Sequence, residues 1–507
     1  MSETQNWNIY QAFVAACPAN RDRVLLETAT GHSYSYADAD RESARLANCL
    51  VELGCKVGDR VTVQADKSPQ VLWLYLACLR AGLVYHPLNT AYQASELAYF
   101  LGNAEPRLVV CSSESAALFT ELAAELGVQR VLTLNSDGSG SLSKLAMSHD
   151  DSFSCVPRAA DDLAALLYSS GTTGQPKGIM LSHRNLMING ETLVKEWGFS
   201  HTDKLLHALP VFHVHGLFVA VHCVLLSGAS MLWLEKFDAQ VVCKKLPDCT
   251  VMMGVPTYYT RLLGAAEFDA GVCANMRLFV SGSAPLLTET FDAFEQRTGH
   301  TIIERYGMTE TSMNTSNPLN GERRAGTVGP ALPGVELRVV DGQGKQLPAG
   351  EPGDLQVRGP NVFQGYWRMP DKTREDFTED GFFNTGDKAN ISEDGYVAIV
   401  GRAKDMIICG GLNVYPKEIE QLLDDMPGIM ESAVIGVPHA DFGEAVVAVI
   451  VVSEKQPLQA RDVINFAKSQ LANFKVPKRV FMVDQLPRNA MGKVQKNLLR
   501  ERYGGGQ

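Results

Sequence analysis

Residues 168–185 read YSSGTTGQPKGIMLSHRN and follow the apolar run LAALL. Gly171 and Gly174 permit dihedrals and close backbone approaches that other residues resist, while Ser169, Ser170, Thr172 and Thr173 add hydroxyl donors and Lys177 adds a cation. Such a loop can wrap phosphate oxygens. It is not the GxxxxGK[ST] phosphate loop, because no Gly-Lys-Ser/Thr follows the first glycine at the required spacing. On composition alone a flexible surface loop is the simpler reading. Other residues carry chemistry by type, each beside a plain alternative. Glu310 offers hard oxygens suited to Mg²⁺ or is a surface carboxylate. Asp387, in NTGD, accepts hydrogen bonds or turns the chain, and Tyr306 presents a flat face or fills a core. Lys493 is a reactive-site cation or a solvated lysine. FHVHG at 212–216 alternates like a His-x-His metal site, but no third ligand with suitable spacing follows, so zinc is not expected.

Regular elements must hold these groups. Short apolar runs such as RLVVC (107–111), LLHALP (205–210) and MRLFVSG (276–282) alternate with helical patterns such as SARLANCLVELG (43–54). That alternation predicts an α/β fold of sheets covered by helices. ALPGVELRVVDGQGKQLPAGEPGDLQVRG (331–359) has two β-rich runs around a DGQGK turn, predicting a β-rich part at about residues 320–400. Near Gly401 the pattern changes to VAIVG, a polar joint RAKD, a glycine loop and the amphipathic YPKEIEQLLDD, with Ile419, Leu422 and Leu423 on one face. A large N-terminal domain (1–401) and a small α+β C-terminal domain (402–507) are expected. No internal repeat and no low-complexity tract occurs.

The chain has 507 residues, 45% hydrophobic and 20% charged, and a net charge of −11, which gives no overall field to attract nucleic acid or an anionic membrane. From Arg402 onward 8 Lys and 6 Arg face 12 acidic residues, a balance of +2 that leaves −13 on the rest. The smaller domain can therefore bring positive charge to a ligand on the larger one. Leu205–Leu234 has no Asp, Glu, Lys or Arg, and a membrane span needs about 20 apolar residues. Pro210, four histidines and the SGAS turn at 227–230 interrupt it, so a buried helix (217–226), a turn and a buried strand (231–234) are expected instead. The N-terminus lacks a basic region followed by an apolar one, so no secretory signal is expected. Eleven cysteines are scattered singly without a CxxC pair, which predicts a reducing cytoplasm.

YSSGTTGQPKG (168–178), RYGMTET (305–311), NTGD (384–387), GRAKDMIICGGLNVYP (401–416) and PRNAMGK (487–493) occur in the order found in adenylate-forming enzymes. The chain resembles that superfamily, which includes acyl-CoA synthetases, adenylation domains and luciferases, over residues 168–493. The resemblance implies a large N-terminal domain, a mobile small C-terminal domain and two half-reactions. A carboxylate attacks the α-phosphorus of ATP, giving acyl-adenylate and pyrophosphate, and the thiol of CoA then displaces AMP. Two anions meet at phosphorus, so fixed cations and donors must offset their repulsion. By this resemblance Ser169–Gly174, Lys177, Ser283, Ala284, Pro285, Glu304, Tyr306, Gly307, Met308 and Thr309 enclose ATP, and Asp387 and Arg402 reach its ribose. Glu310 holds Mg²⁺, and Lys493 contacts the reacting carboxylate and phosphate. Lys404 is the hinge that lets one site serve both half-reactions, and Gly410 and Gly411 line the thiol tunnel.

The acid pocket is expected around His213, Met253–Pro256, Ser281–Ala284 and Met308–Asn314 with Met313, with Arg305 beside it, while His215 reads as a packed core imidazole. Arg305 departs from the superfamily pattern, in which most members have glycine before this Tyr-Gly. A guanidinium in a mostly apolar pocket needs an anionic partner. The second carboxylate of a small dicarboxylic acid would supply one through a bidentate pair, whereas permanent pairing with Glu304 or another acid is the alternative. ERYGMTE, MNTSNP (313–318) and RRAGTVGPALPGVELRV (323–339) resemble the malonyl-CoA synthetase branch, implying malonate, with methylmalonate as a further substrate. A ligase for another short or medium-chain acid, an enzyme that charges a carrier protein and a non-catalytic acyl-nucleotide sensor are the competing readings.

Overall fold

The computed structural model describes residues 6–169, 176–402, 405–409, 412–439, 443–453, 458–471, 473–489 and 492–504. Its largest sheet runs, in spatial order, Ser312–Ser316, Ile302–Met308, Leu278–Ser281, Val251–Gly254, Lys204–His207, Ser230–Trp233, Val24–Thr28 and Ser33–Ser35. The six inner strands are parallel and each edge strand is antiparallel. Val251–Gly254 and Leu278–Ser281 are buried along their whole length, as strands covered by helices on both faces must be.

A second sheet, mostly parallel, ends in the antiparallel hairpin Leu163–Ser169 and Lys177–Ser182. The glycine segment therefore joins two paired strands. Helix His183–Glu196 follows at once, started by Ser182, whose Oγ accepts the Asn185 amide at 3.1 Å. Asn185 Nδ2 in turn donates to Pro360 O and Val362 O, tying this corner to the segment that carries Tyr366.

The uncharged stretch 205–234 lies in the core. Strand Lys204–His207 leads to a helix whose first part, His215–Val221, is wound as a π-helix before His222–Ser227 continues it, and strand Ser230–Trp233 follows. The expected helix and strand are present, but the helix starts earlier, at His215. Among the described residues no helix is long and apolar enough to cross a membrane.

The hairpin expected at 331–359 is Glu336–Val340 paired with Gly353–Arg358. Phe383–Ile391 and Val397–Arg402 complete a four-stranded antiparallel sheet. A separate five-stranded sheet begins at Ile407, and helix Pro416–Asp424 packs on it through Ile419 and Leu423, with Leu422 half-buried. The architecture is α/β with a large N-terminal and a smaller C-terminal domain. None of the eleven cysteines is in a disulfide.

Candidate active site

Strands Lys204–His207, Val251–Gly254, Leu278–Ser281 and Ile302–Met308 lie side by side, and the segments at their carboxyl ends carry His213, Thr257, Ser281–Ala284 and Arg305. Open parallel sheets bind ligands in this place. Arg305 is 3% exposed, and its Nε and Nη2 are buried without a partner. Among the described residues no carboxylate pairs with it. Glu304 precedes it in a regular strand, where successive side chains take opposite faces. Glu304 Oε1 accepts the Leu286 amide at 3.0 Å, and Oε2 is buried without a partner. A permanent Glu304–Arg305 pair is thus excluded. Burial pulls Arg305 down to about 9 and pushes Glu304 up to about 7.

Burial, assisted by the Arg305 charge, holds His213 down at about 4 and buried His215 well below its usual range. Both imidazoles are neutral at pH 7. The His215 amide donates to His213 Nδ1 at 3.3 Å, so the His213 ring proton sits on Nε2. His215 Nδ1 lies 3.2 Å from Ser283 Oγ, and Ser283 has φ +71°, a left-handed conformation uncommon outside glycine. Ser281 Oγ and His215 Nε2 are also buried without partners. This crevice therefore presents unsatisfied polar atoms around one buried cation. His215, 1% exposed, is packed as expected and also meets Ser283 in this crevice.

A second group of residues gathers around Lys177, at the start of strand Lys177–Ser182. Lys177 Nζ contacts Tyr366 Oη at 3.2 Å and Asp376 Oδ2 at 3.5 Å. Burial, with Glu310 and Asp376 adding negative charge beside it, raises the Tyr366 phenol far above its usual range. Tyr366 is thus shared by the carboxyls of Glu310 and Asp376 and the Lys177 ammonium. Neither Tyr366 nor Asp376 stands out in the sequence. Tyr306 Oη donates to Asp387 Oδ2 at 2.5 Å, and the Asp387 backbone pairs with Arg402 in the neighbouring strand. Gly307 sits at a bulge where a Cβ would fall 2.0 Å from Ser312 O, so only glycine fits. Asn189 holds Met313 through both its amide and its carbonyl. Ala284, Met308 and Thr309 are half-buried and Pro285 is exposed.

Lys493 is exposed, in a turn closed by Asn489: Oδ1 accepts the Lys493 amide and the Asn489 amide donates to Lys493 O, both at 2.9 Å. Gly492, at φ +74°, packs so close to the large domain that a Cβ would lie 3.4 Å from Thr257 Oγ1. The lysine turn therefore lies against Thr257, three residues after the end of strand Val251–Gly254. Ser170, Gly171, Thr172, Thr173, Gly174, Lys404, Gly410 and Gly411 lie outside the described residues.

The AMP-binding enzyme family profile matches residues 13–367, and the AMP-binding enzyme C-terminal domain matches residues 418–493. The chain belongs to the AMP-binding enzyme family. This AMP-binding enzyme is 36% identical over 528 residues to the mitochondrial malonate–CoA ligase ACSF3 of Mus musculus, covering 96% of this chain and 90% of that one. It is 35% identical over 476 residues to the sulfoacetate–CoA ligase of Cupriavidus necator, covering 93% of each. It superimposes on ATP-bound MatB from Rhodopseudomonas palustris with a TM-score of 0.97 at 52% identity over 99% of each chain. Against apo MatB the TM-score is 0.86.

Proposed function

We propose that this AMP-binding enzyme is an ATP-dependent malonate–CoA ligase, making malonyl-CoA, AMP and pyrophosphate through malonyl-adenylate. The observation that carries this reading is Arg305, a buried guanidinium without an acidic partner among the described residues. An acid with an apolar tail would leave that charge uncompensated at a cost of several kcal/mol. The far carboxylate of malonate supplies the missing partner in bidentate form. Relatives named for malonate and for sulfoacetate fit this, since both acids carry a second anionic group.

The far carboxylate rests on Arg305, flanked by Ser281 and the Nε2–H of His213, with Met313 closing the pocket. The near carboxylate then faces the α-phosphorus of ATP. Residues 169–174 and Lys177 wrap the phosphates. Ser283–Pro285, Tyr306–Thr309 and the free Oε2 of Glu304 enclose adenine, and Asp387, oriented by Tyr306, takes the ribose together with Arg402. Glu310 supplies hard oxygens for Mg²⁺, which brings charge neutralisation at the phosphates. Lys493 offsets the repulsion between the two anions that meet. The 402–507 domain then turns about Lys404, withdrawing Lys493 and opening the path lined by Gly410 and Gly411 to the CoA thiol. Eleven cysteines outside disulfides support a reducing setting, the cytoplasm or an organelle matrix.

The test is AMP formation with ATP and CoA across malonate, methylmalonate, succinate, sulfoacetate, acetate and a medium-chain fatty acid. Malonate is expected to give the highest kcat/KM. Equal turnover of acetate, or no requirement for free CoA, overturns the reading.

A further inference from the structure

Lys67 is 8% exposed, and the chemistry above makes no use of it. Its Nζ lies 2.9 Å from His207 O, 2.6 Å from Leu234 O and 2.8 Å from His207 Nδ1, and 4.3 Å from the centre of the Trp233 ring. His207 Nε2 lies 2.9 Å from Gly216 O. A carbonyl only accepts, so Nε2 carries the ring proton and Nδ1 is an acceptor. All three Lys67 contacts then require an N–H, and only the ammonium form has three. Burial pushes Lys67 toward its neutral form and the nearby Glu235 charge opposes that push; the three acceptors and the Trp233 face favour the ammonium as well.

The network continues into the acid pocket. Gly216 follows His215, whose ring meets Ser283 and whose amide meets His213. Gly216 is also fixed from below, because a Cβ there would fall 1.9 Å from Pro210 O. The segment has little freedom to re-seat if either anchor is lost.

We propose that Lys67 is a positioning residue for the acid pocket: two of its donors seat the ammonium on His207 O and Leu234 O, and the third, to His207 Nδ1, fixes the Nε2–H form of His207, which holds Gly216 and so sets His213, His215 and Ser283 around the substrate acid. This rests on the acid-pocket reading given above.

Lys67→Met keeps most of the bulk and removes every donor. KM for the acid is expected to rise about 10- to 100-fold, the size of a lost buried hydrogen-bond set, with KM for ATP and CoA within about twofold. His207→Gln should do the same, and the double variant should be no worse than either single one, because both act through one contact. A uniform rise in all three KM values, or an unchanged acid KM in a folded variant, overturns the proposal. The assay uses whichever acid the wild-type enzyme turns over best. If that acid is not malonate, the substrate reading fails while the Lys67 result still stands. Should Lys67→Met not fold, ¹⁵N shifts of histidine-labelled wild-type protein decide, with His207 assigned through His207→Gln. A bare Nδ1 and protonated Nε2 are expected between about pH 6 and 8, and an Nδ1–H or doubly protonated ring overturns the proposal.

Discussion

A Cβ on Gly282 would lie 2.3 Å from Arg305 Cζ, so the guanidinium occupies the space that a side chain there would fill. Gly282 is needed for room, since the strand before it ends at Ser281 and Arg305 packs directly over its backbone. Gly282→Ala should therefore displace the guanidinium while keeping its charge. Malonate kcat/KM is expected to fall about 10- to 100-fold, as for a misplaced buried donor, with the KM for ATP little changed. Steady-state kinetics at varied malonate and varied ATP separates the two.

Arg305→Ala removes the cation itself. Losing one partner of a buried charge pair costs about 2–5 kcal/mol, or about 30- to 5,000-fold in kcat/KM for malonate. Acetate and butyrate, which have no second anion, should lose far less. Equal losses on all acids would remove Arg305 from the pocket.

Arg305 was legible in the sequence because it breaks an otherwise recognisable motif at a single position, and the strand pattern of Leu278–Ser281 and Ile302–Met308 was legible because buried parallel strands read as short apolar runs. The π-helical start at His215–Val221 was not, since five of its seven residues are apolar and a wider helical period leaves no distinct polar face to reveal it. Lys67 and Tyr366 were not legible for another reason. Lys67 meets His207 across 140 residues and Tyr366 meets Lys177 across 189, and contacts so remote in the chain leave no spacing signal.

Glu304 gives a pH signature. Burial raises its carboxyl from 4.5 to about 7, so between those values the folded protein binds a proton that the unfolded chain has released. Stability falls with rising pH wherever the native state binds more protons. Glu304 thus costs nothing below about pH 4 and at most about 3 kcal/mol above pH 7. Glu304→Gln, which stays neutral, should narrow the loss of stability between pH 5 and 8. Urea unfolding of both proteins at a series of pH values checks this, and parallel curves would mean that Glu304 is ionised without penalty. The buried histidines act in the opposite direction in both proteins and cancel in the difference.

Lys493 sits at the end of a turn braced by Asn489 and docked against Thr257, so its effect should be confined to the half-reaction run in this domain arrangement. Lys493→Ala is expected to lose nearly all malonate-dependent pyrophosphate release, because Arg488, the other cation beside that turn, is held by Gly492 O and by the Glu431 carboxylate and is not free to offset the repulsion between carboxylate and phosphate. Thioester formation from CoA and separately supplied malonyl-adenylate should persist, since by then the lobe has turned and the lysine has left. The two half-reactions must therefore be assayed apart. Undiminished pyrophosphate release would take Lys493 out of the chemistry, and equal loss of both half-reactions would show that the substitution had damaged the lobe rather than removed a charge from the first step.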